Sequence, residues 1–292
     1  MDIAADLDRP RLDRGPPLAA VGPPAPRRSA GASPPAKLVA RNVSKVYTLK
    51  RNDKLLALDH VSFSVRKNEI VSLLGPSGCG KSTLLRIVAG LDQASEGEVL
   101  LDGNPILRPT RSCGMVFQTY TSFPWLTVRK NVEYGLKING VPRKERRERA
   151  EEFIERVQLT RVKDAYPTQL SGGMKQRVAI ARMLANEPEI ALMDEPFGAL
   201  DAETRRSMQE LLNEVIAKTE MTVVLVTHDI IEALFLSDRI VFMSRHPGRV
   251  REIIPLDFKQ GRKISTHEQL FALPEYAAYE SHIFALMREV TA

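Results

Sequence analysis

The sequence predicts an α/β fold whose central sheet has mostly parallel strands. Three observations support this prediction. Short apolar runs alternate with segments of helical period along most of the chain. A glycine-rich loop joins the apolar run at residues 70–74 to a helical segment that begins near Lys81. A long helical stretch, from Thr127 to about Arg161, interrupts the strands and is typical of an inserted subdomain.

The composition fits one large domain or two small ones. The chain has 292 residues, of which 43% are hydrophobic, and no apolar run is long enough to span a bilayer. The acidic start MDIAAD is unlike a secretory signal, and the two cysteines, Cys79 and Cys113, lack metal or redox spacing, which indicates a reducing compartment. The net charge of +6 could attract nucleic acid or an anionic membrane. Glutamates interleave the densest basic cluster, at residues 143–149, which favours solvated basic faces instead.

The N-terminal half begins with a segment of low complexity. Residues 1–36 are rich in Pro, Ala and Gly without an apolar period, so we expect a disordered extension and ordered structure from near Lys37. The runs KLVARNV and VSFSV predict strands, and EVLLDGNPI predicts a strand followed by an Asp-Gly turn. A short buried strand is expected at residues 113–117, and Pro142 can start a helix in the following segment.

The C-terminal half continues the alternation. We expect a helix from about Gly173 to Asn186, the strand IALMD, a helix, the strand TVVLVTHD, and a hairpin around the His-Pro-Gly turn at residues 246–248. The tail, residues 256–292, should contain a short helix. Its predicted apolar face consists of Tyr276, Tyr279, Ile283 and Leu286.

The loop GPSGCGKST matches the phosphate-binding P-loop pattern Gly-x-x-x-x-Gly-Lys-Ser. The glycines allow successive N–H groups to point at phosphate oxygens, and the helix that follows adds its positive end. The lysine can reach the β- and γ-phosphates, and the serine hydroxyl can hold Mg²⁺. The predicted ATP-binding residues are Gly75, Pro76, Ser77, Gly78, Cys79, Gly80, Lys81, Ser82 and Thr83.

Two acidic residues at the end of the strand IALMD predict what the nucleotide is used for. Asp194 stands where a P-loop fold needs a carboxylate for Mg²⁺. Glu195 follows immediately and can polarise a water for attack on the γ-phosphate. The alternative is that Asp-Glu-Pro is an ordinary exit from a strand into a turn.

A further motif, LSGGMKQR at residues 170–177, resembles the signature of ATP-binding cassette (ABC) ATPases. Other marks of that family occur in its order along residues 37–255. The resemblance assigns Tyr47 to adenine stacking, Gln118 to the Q-loop, Asp201 to the dimer-communicating D-loop and His228 to the switch histidine. It also implies that Ser171, Gly172 and Gly173 contact the ATP held by a partner chain.

The family resemblance implies a particular architecture and chemistry. A RecA-like core would carry an antiparallel β subdomain and a helical subdomain inserted at about residues 119–171. Two cassettes, most simply two copies of this chain, would pair head to tail around ATP. Mg²⁺ would be held by Ser82, Gln118 and Asp194, and catalysis would use Lys81, Gln118, Glu195 and His228.

Within the family, the chain resembles the ATPase subunit of bacterial importers. TSFPWLTV after Gln118 and MSRHPGRVREII resemble the branch that imports nitrate, sulfonates and taurine. That resemblance implies two transmembrane permease subunits, an indirectly coupled periplasmic binding protein, and a peripheral position on the cytoplasmic face of the inner membrane. Phe123 and Trp125 would contact the membrane subunits, although Trp125 could instead be a core residue.

Two other functions stay open from the sequence. One is an export or lipid-trafficking ATPase, whose cassette would look nearly alike. The other is a cassette protein that acts on nucleic acid or ribosomes. A single cassette without a long coiled coil argues against the second, so we expect no nucleic-acid partner.

Overall fold

The computed structural model describes residues 36–49, 53–119, 121–260, 262 and 264–291. The expectation of a disordered extension lies, apart from Ala36, outside the described residues. The strands are β1 (Ala36–Thr48), β2 (Lys54–Arg66), β3 (Ile70–Leu74), β4 (Glu96–Leu101), β5 (Asn104–Pro105), β6 (Cys113–Val116), β7 (Ile190–Asp194), β8 (Thr222–Thr227), β9 (Arg239–Ser244) and β10 (Arg249–Pro255). The helices are α1 (Lys81–Val88), α2 (Val128–Ile138), α3 (Arg143–Arg156), α4 (Gly172–Leu184), α5 (Ala202–Thr219), α6 (Ile230–Leu236), α7 (His267–Phe271) and α8 (Tyr276–Thr291).

The central sheet has six strands in the order β10-β9-β3-β8-β7-β6, and only β10 is antiparallel to its neighbour. Every residue of β3, β7 and β8 is buried, which is why these strands are continuous apolar runs in the sequence. The edge strand β6 differs from the buried strand that we expected, because only Val116 in it is fully buried. The predicted α/β class with mostly parallel strands is confirmed.

The parallel arrangement places the carboxyl ends of β3, β6, β7 and β8 at one edge of the sheet. The P-loop follows β3, Gln118 follows β6, Glu195 follows β7 and His228 follows β8. Ligands of open α/β sheets bind at this edge. The fold therefore collects these segments, distant in sequence, at one place.

A second sheet, with strand order β2-β1-β4-β5, is antiparallel throughout. The predicted Asp-Gly turn joins β4 to β5, with Asp102 at φ 48° and Gly103 at φ 78°. These positive angles belong to the tight hairpin turns that match strand twist. The sheet is the antiparallel β subdomain that the family resemblance implies.

The long helical stretch consists of two helices, α2 and α3, which pack on each other and on α4. Gly140, at φ 77°, ends α2, and Pro142 is the N-cap of α3, as the sequence predicts for a helix start. At the C-terminus, α8 runs over 16 residues, and its predicted apolar face is buried against the core. Among the described residues, no helix is both long and apolar enough to cross a bilayer.

Candidate functional site

The glycine-rich loop between β3 and α1 has the conformation that a phosphate site requires. Gly78 and Gly80 adopt φ 79° and 90°, which L side chains rarely adopt. A Cβ at Gly80 would lie 2.6 Å from Leu58 Cδ2, and one at Gly75 would lie 2.4 Å from the Met243 carbonyl oxygen. The loop is therefore closed against β2 and β9, and the first N–H groups of α1, which have no intrahelical acceptors, stay available for an anion.

Lys81 is a buried cation in this loop. Its side chain is only 5% exposed, and its Nζ donates hydrogen bonds to the carbonyl oxygens of Gly75 at 2.7 Å and Pro76 at 3.0 Å. In the described part of the chain, no carboxylate lies within salt-bridge distance of it. A buried charge without a counter-charge is unfavourable, so this site fits an anionic ligand such as a triphosphate.

Ser82 and Asp194 form a pair suited to a cation. Ser82 Oγ donates to Asp194 Oδ1 at 2.9 Å. Burial raises the pKa of Asp194, the hydrogen bond from Ser82 opposes that shift, and the nearby charge of Glu195 adds to it. A buried carboxylate beside a hydroxyl is the oxygen donor set that Mg²⁺ uses next to a phosphate, so these two residues fit the predicted metal.

Glu195 is the point where three loops meet. Its Oε2 accepts a hydrogen bond from Gln118 Nε2 at 3.1 Å and lies 3.3 Å from His228 Nδ1. Its backbone has φ 43°, and its N–H donates to the Val226 carbonyl at 2.9 Å. Non-glycine residues at positive φ concentrate at functional sites. The structure thus brings the predicted base, Q-loop glutamine and switch histidine together, whereas Gln118 contacts Glu195 and not Asp194.

Lys81, Ser82, Gln118 and Glu195 line a cleft of about 460 Å³, within the range of small-molecule sites. His228 and Asp194 contact these residues but do not themselves line the cleft. Tyr47 also lines the cleft, and its hydroxyl donates to Asp92 Oδ2 at 2.8 Å. Three of the predicted ATP-binding residues, Gly75, Pro76 and Cys79, do not line the cleft, since all three are buried. Burial also raises the pKa of the Cys79 thiol, so it is a poor nucleophile.

Sequence reasoning missed five residues of the cleft. They are Leu55, Leu56, Ala57, His246 and Pro247. The predicted β9–β10 hairpin returns to β2, where the Gly248 N–H donates to the Ala57 carbonyl at 3.0 Å. The hairpin was visible in the sequence, but its distant partner strand was not.

The signature segment lies outside this cleft. Ser171 is exposed and is the N-cap of α4, where its Oγ accepts from the Met174 N–H at 3.4 Å. None of Ser171, Gly172 and Gly173 lines the cleft of its own chain. Asp201 is likewise the N-cap of α5 and accepts from the Thr204 N–H at 2.9 Å.

The starts of α4 and α5 touch. A Cβ at Gly173 would lie 2.6 Å from Thr204 Cγ2, so this glycine permits a close approach of the two helices. No pattern in the sequence indicates this contact. It ties the signature segment to the segment after Asp201.

Next to Gln118, an aromatic cluster lies beside a groove. Phe123 lies 5.5 Å from the Trp125 ring and 4.5 Å from the Tyr134 ring, and Arg182 stacks on it at 4.4 Å. Trp125 is 70% exposed, so the alternative that it is a core residue is wrong. The groove of about 380 Å³ includes Tyr134, Ile138 and Arg182 in its lining.

Comparisons with known proteins agree with this geometry. The model of the ABC transporter family matches residues 58–198. An uncharacterized ABC transporter ATP-binding protein of Methanocaldococcus jannaschii is 51% identical over 234 residues, which cover 80% of this chain and 87% of the relative. The nitrate import ATP-binding protein of Synechocystis is 40% identical over 250 residues, covering 85% and 93%. The aliphatic sulfonates import ATP-binding protein of Bacillus anthracis is 42% identical over 234 residues, covering 80% and 92%.

The fold is also similar to that of a solved structure. An ATP-binding cassette that was solved as a dimer in a post-hydrolysis state, bound to ADP and Pi, superposes with a TM-score of 0.67 at 38% identity. The match covers 75% of this chain and 98% of that one.

Proposed function

Because the chain belongs to the ATP-binding proteins of ABC transporters, which are ATPases coupled to transport, we propose that it powers the import of a small anion such as nitrate, a sulfonate or taurine. The observation that carries the ATPase part is the convergence of Gln118 and His228 on Glu195 Oε2 beside the P-loop. The import part rests on the nitrate and sulfonate import relatives.

Glu195 acts as the general base. Its carboxylate accepts the proton of the attacking water, while Gln118 and His228 hold the carboxylate in place. Lys81 and the N-terminal N–H groups of α1 bind the phosphates, and Tyr47 stacks on the base. Ser82 and Asp194 would hold a Mg²⁺, which would supply charge neutralisation for the transferred phosphoryl group.

The second half of the site comes from a partner cassette, most simply a second copy of this chain. Ser171 is exposed and lies outside the P-loop cleft of its own chain. This supports the assignment, because the N-terminus of α4 is suited to bind a phosphate but is not placed to bind the one held by its own P-loop. The partner's copy of this segment closes over the γ-phosphate, so ATP binding and dimer closure are coupled. Hydrolysis removes the shared group and reopens the pair.

The groove beside Phe123 and Trp125 receives the membrane subunits. An exposed tryptophan that packs at a tilt against a neighbouring ring is an anchor typical of interface cores. Because the cluster adjoins Gln118, movement at the γ-phosphate reaches the groove through one short segment. The complex then lies on the cytoplasmic face of the membrane.

The experiment is transport by the reconstituted complex. The chain and its permease subunits are placed in vesicles with ATP inside, and the binding protein is added outside. The uptake of labelled nitrate, an alkanesulfonate and taurine is then measured. We expect uptake of one of these anions, and none in the same complex carrying Lys81→Ala. ATP-driven movement in the opposite direction would contradict import, and uptake of none of the three would contradict the substrate class.

A further inference from the structure

Buried polar side chains link the C-terminal tail to α5 and to α6, the helix that follows His228. His267, the first residue of α7, is 1% exposed, and its ring stacks on Phe235 of α6 at 4.1 Å. Its Nε2 lies 2.9 Å from Gln209 Oε1, and Gln209 Nε2 donates to Glu232 Oε2 at 3.0 Å. Gln209 and Glu232 are both buried as well. A polar chain in the core therefore joins α7, α5 and α6.

The donor and acceptor roles in this hydrogen-bond network follow from the chemistry of each side chain. The Gln209 amide nitrogen donates to Glu232, so its oxygen is left to accept, and His267 Nε2 must carry the proton. Glu210 Oε1 accepts from the His267 backbone N–H at 3.2 Å and lies 3.2 Å from its Nδ1. His267 is thus held by two successive residues of α5.

At its other end, this hydrogen-bond network reaches the first turn of α6, the helix that follows His228. Glu232 lies in the first turn of α6, and Asp229, the N-cap of that helix, directly follows His228. Asp229 Oδ1 accepts from the N–H groups of Ile231 at 2.9 Å and Glu232 at 3.1 Å. The backbone at His228 is therefore fixed by the position at which α6 starts.

A parallel contact runs one turn earlier along α5. Arg205 pairs with Asp229 at 3.5 Å and donates to the Leu200 carbonyl at 3.0 Å, next to Asp201. Residues four apart on a helix share a face, so Arg205 and Gln209 both contact the start of α6, through Asp229 and Glu232 respectively. Only Gln209 is also held by the tail.

We propose that His267 is a positioning residue for hydrolysis, which acts through Gln209 and Glu232 on the loop that carries His228. This rests on the proposed role of His228 at Glu195. The C-terminal tail then supports catalysis. Its docking onto α5 and α6 affects the rate of ATP hydrolysis and leaves ATP binding unchanged.

The test uses the full chain and the split between kcat and KM for ATP. His267→Phe keeps the stacking on Phe235 but removes the bond to Gln209. We expect kcat to fall about 3- to 30-fold, with KM for ATP unchanged. His267→Gln can still donate to Gln209 Oε1 and should restore most of kcat. The control is His282→Phe, since His282 lies in the same tail but contacts Glu252 of β10 at 3.0 Å, and it should leave kcat unchanged.

A double-variant cycle separates positioning from general weakening of the fold. In a His228→Ala background, His267→Phe should lower kcat little further, because the group it positions is gone. An equal additional loss in that background, or a loss in His282→Phe as large as in His267→Phe, would overturn the proposal. An unchanged kcat in His267→Phe would also overturn it. If His228→Ala itself keeps the parent kcat, the assigned role of His228 fails instead, and that result is read independently of His267.

Discussion

At the scale of single residues, the site depends on charges held without their usual partners. Lys81 is buried among carbonyl oxygens, and Asp194 is buried beside one hydroxyl. Each is unfavourable alone, and each is complementary to a ligand of the opposite sign. A bound nucleotide and the proposed Mg²⁺ would therefore stabilise this part of the chain as well as position the reacting groups.

Glu232 makes stability depend on pH. Burial raises its pKa from 4.5 to about 8, the charge of Asp229 adds to the shift, and the bond from Gln209 and the charge of Arg205 oppose it. Between these values the unfolded chain loses the proton that the folded chain keeps, so the free energy of unfolding falls as pH rises through this window. Glu232→Gln cannot ionise and keeps an acceptor for Gln209.

We expect the advantage of Glu232→Gln over the parent to grow as pH rises from about 5 to about 8. Denaturant unfolding of both chains across that range measures it. A difference in free energy of unfolding that stays constant with pH would show that Glu232 does not titrate in this window.

At the scale of elements, the sequence predicts best where one physical rule decides. The strands β3, β7 and β8 are continuous apolar runs because both of their faces are buried. Pro142 marks a helix start because its fixed φ suits that position. The geometry of a phosphate-binding loop requires glycines at fixed spacing, so the sequence pattern alone predicts where the P-loop lies.

The contacts between elements were not predictable in the same way. Gly173 meets Thr204 across two helices that β7 separates in the chain, and nothing local in either segment indicates the approach. The His246 and Pro247 wall of the cleft depends on the hairpin reaching β2. Nothing in the tail sequence marks His267, because its partners lie on α5 and α6.

The contact between α4 and α5 can be tested with one substitution that disrupts it and a second that should compensate. Gly173→Ala places a Cβ 2.6 Å from Thr204 Cγ2, which should push the signature segment out of place. We expect ATP-dependent dimerisation and ATP turnover to fall by about tenfold, as for a defect of roughly 1–2 kcal/mol. Thr204→Ser lacks Cγ2, so the double variant should recover most of both. Thr204→Ser alone provides the control, and failure of the double variant to recover would contradict the contact.

At the scale of the whole molecule, the carboxyl edge of the parallel sheet connects three surfaces. The P-loop cleft, the exposed signature segment and the groove beside Trp125 all adjoin segments that leave this edge or the helices next to it. A change at the γ-phosphate can therefore reach both the partner cassette and the membrane subunits. The fold class followed from the sequence pattern and the roles of the site residues from the family resemblance, whereas this clustering and the strand order needed the structure.

Replacing Trp125 tests whether the groove beside it couples ATP turnover to the membrane subunits. Trp125→Ala removes an exposed ring, so the thermal midpoint and the ATP turnover of the isolated chain should stay close to those of the parent. We expect stimulation of ATP turnover by the transported anion to fall at least about tenfold in the assembled complex, as for loss of an interface anchor. Leu107→Ala is the matched control, because Leu107 is 71% exposed and lies after β5 of the other sheet. Equal behaviour of the two variants would exclude this groove as the coupling surface.

The central claim is that Glu195 is the base in an ATP site completed by a second cassette. The most direct measurement is the solution mass of the Glu195→Gln chain with and without ATP and Mg²⁺, together with its rate of hydrolysis. Glutamine keeps the contacts with Gln118 and His228 but cannot take a proton, so hydrolysis should slow about 10²- to 10⁴-fold while ATP still binds. The account predicts a dimer with ATP and Mg²⁺, a monomer without them, and no dimer when Ser171→Arg is added. Hydrolysis near the parent rate, or a folded chain that stays monomeric at saturating ATP, would contradict it.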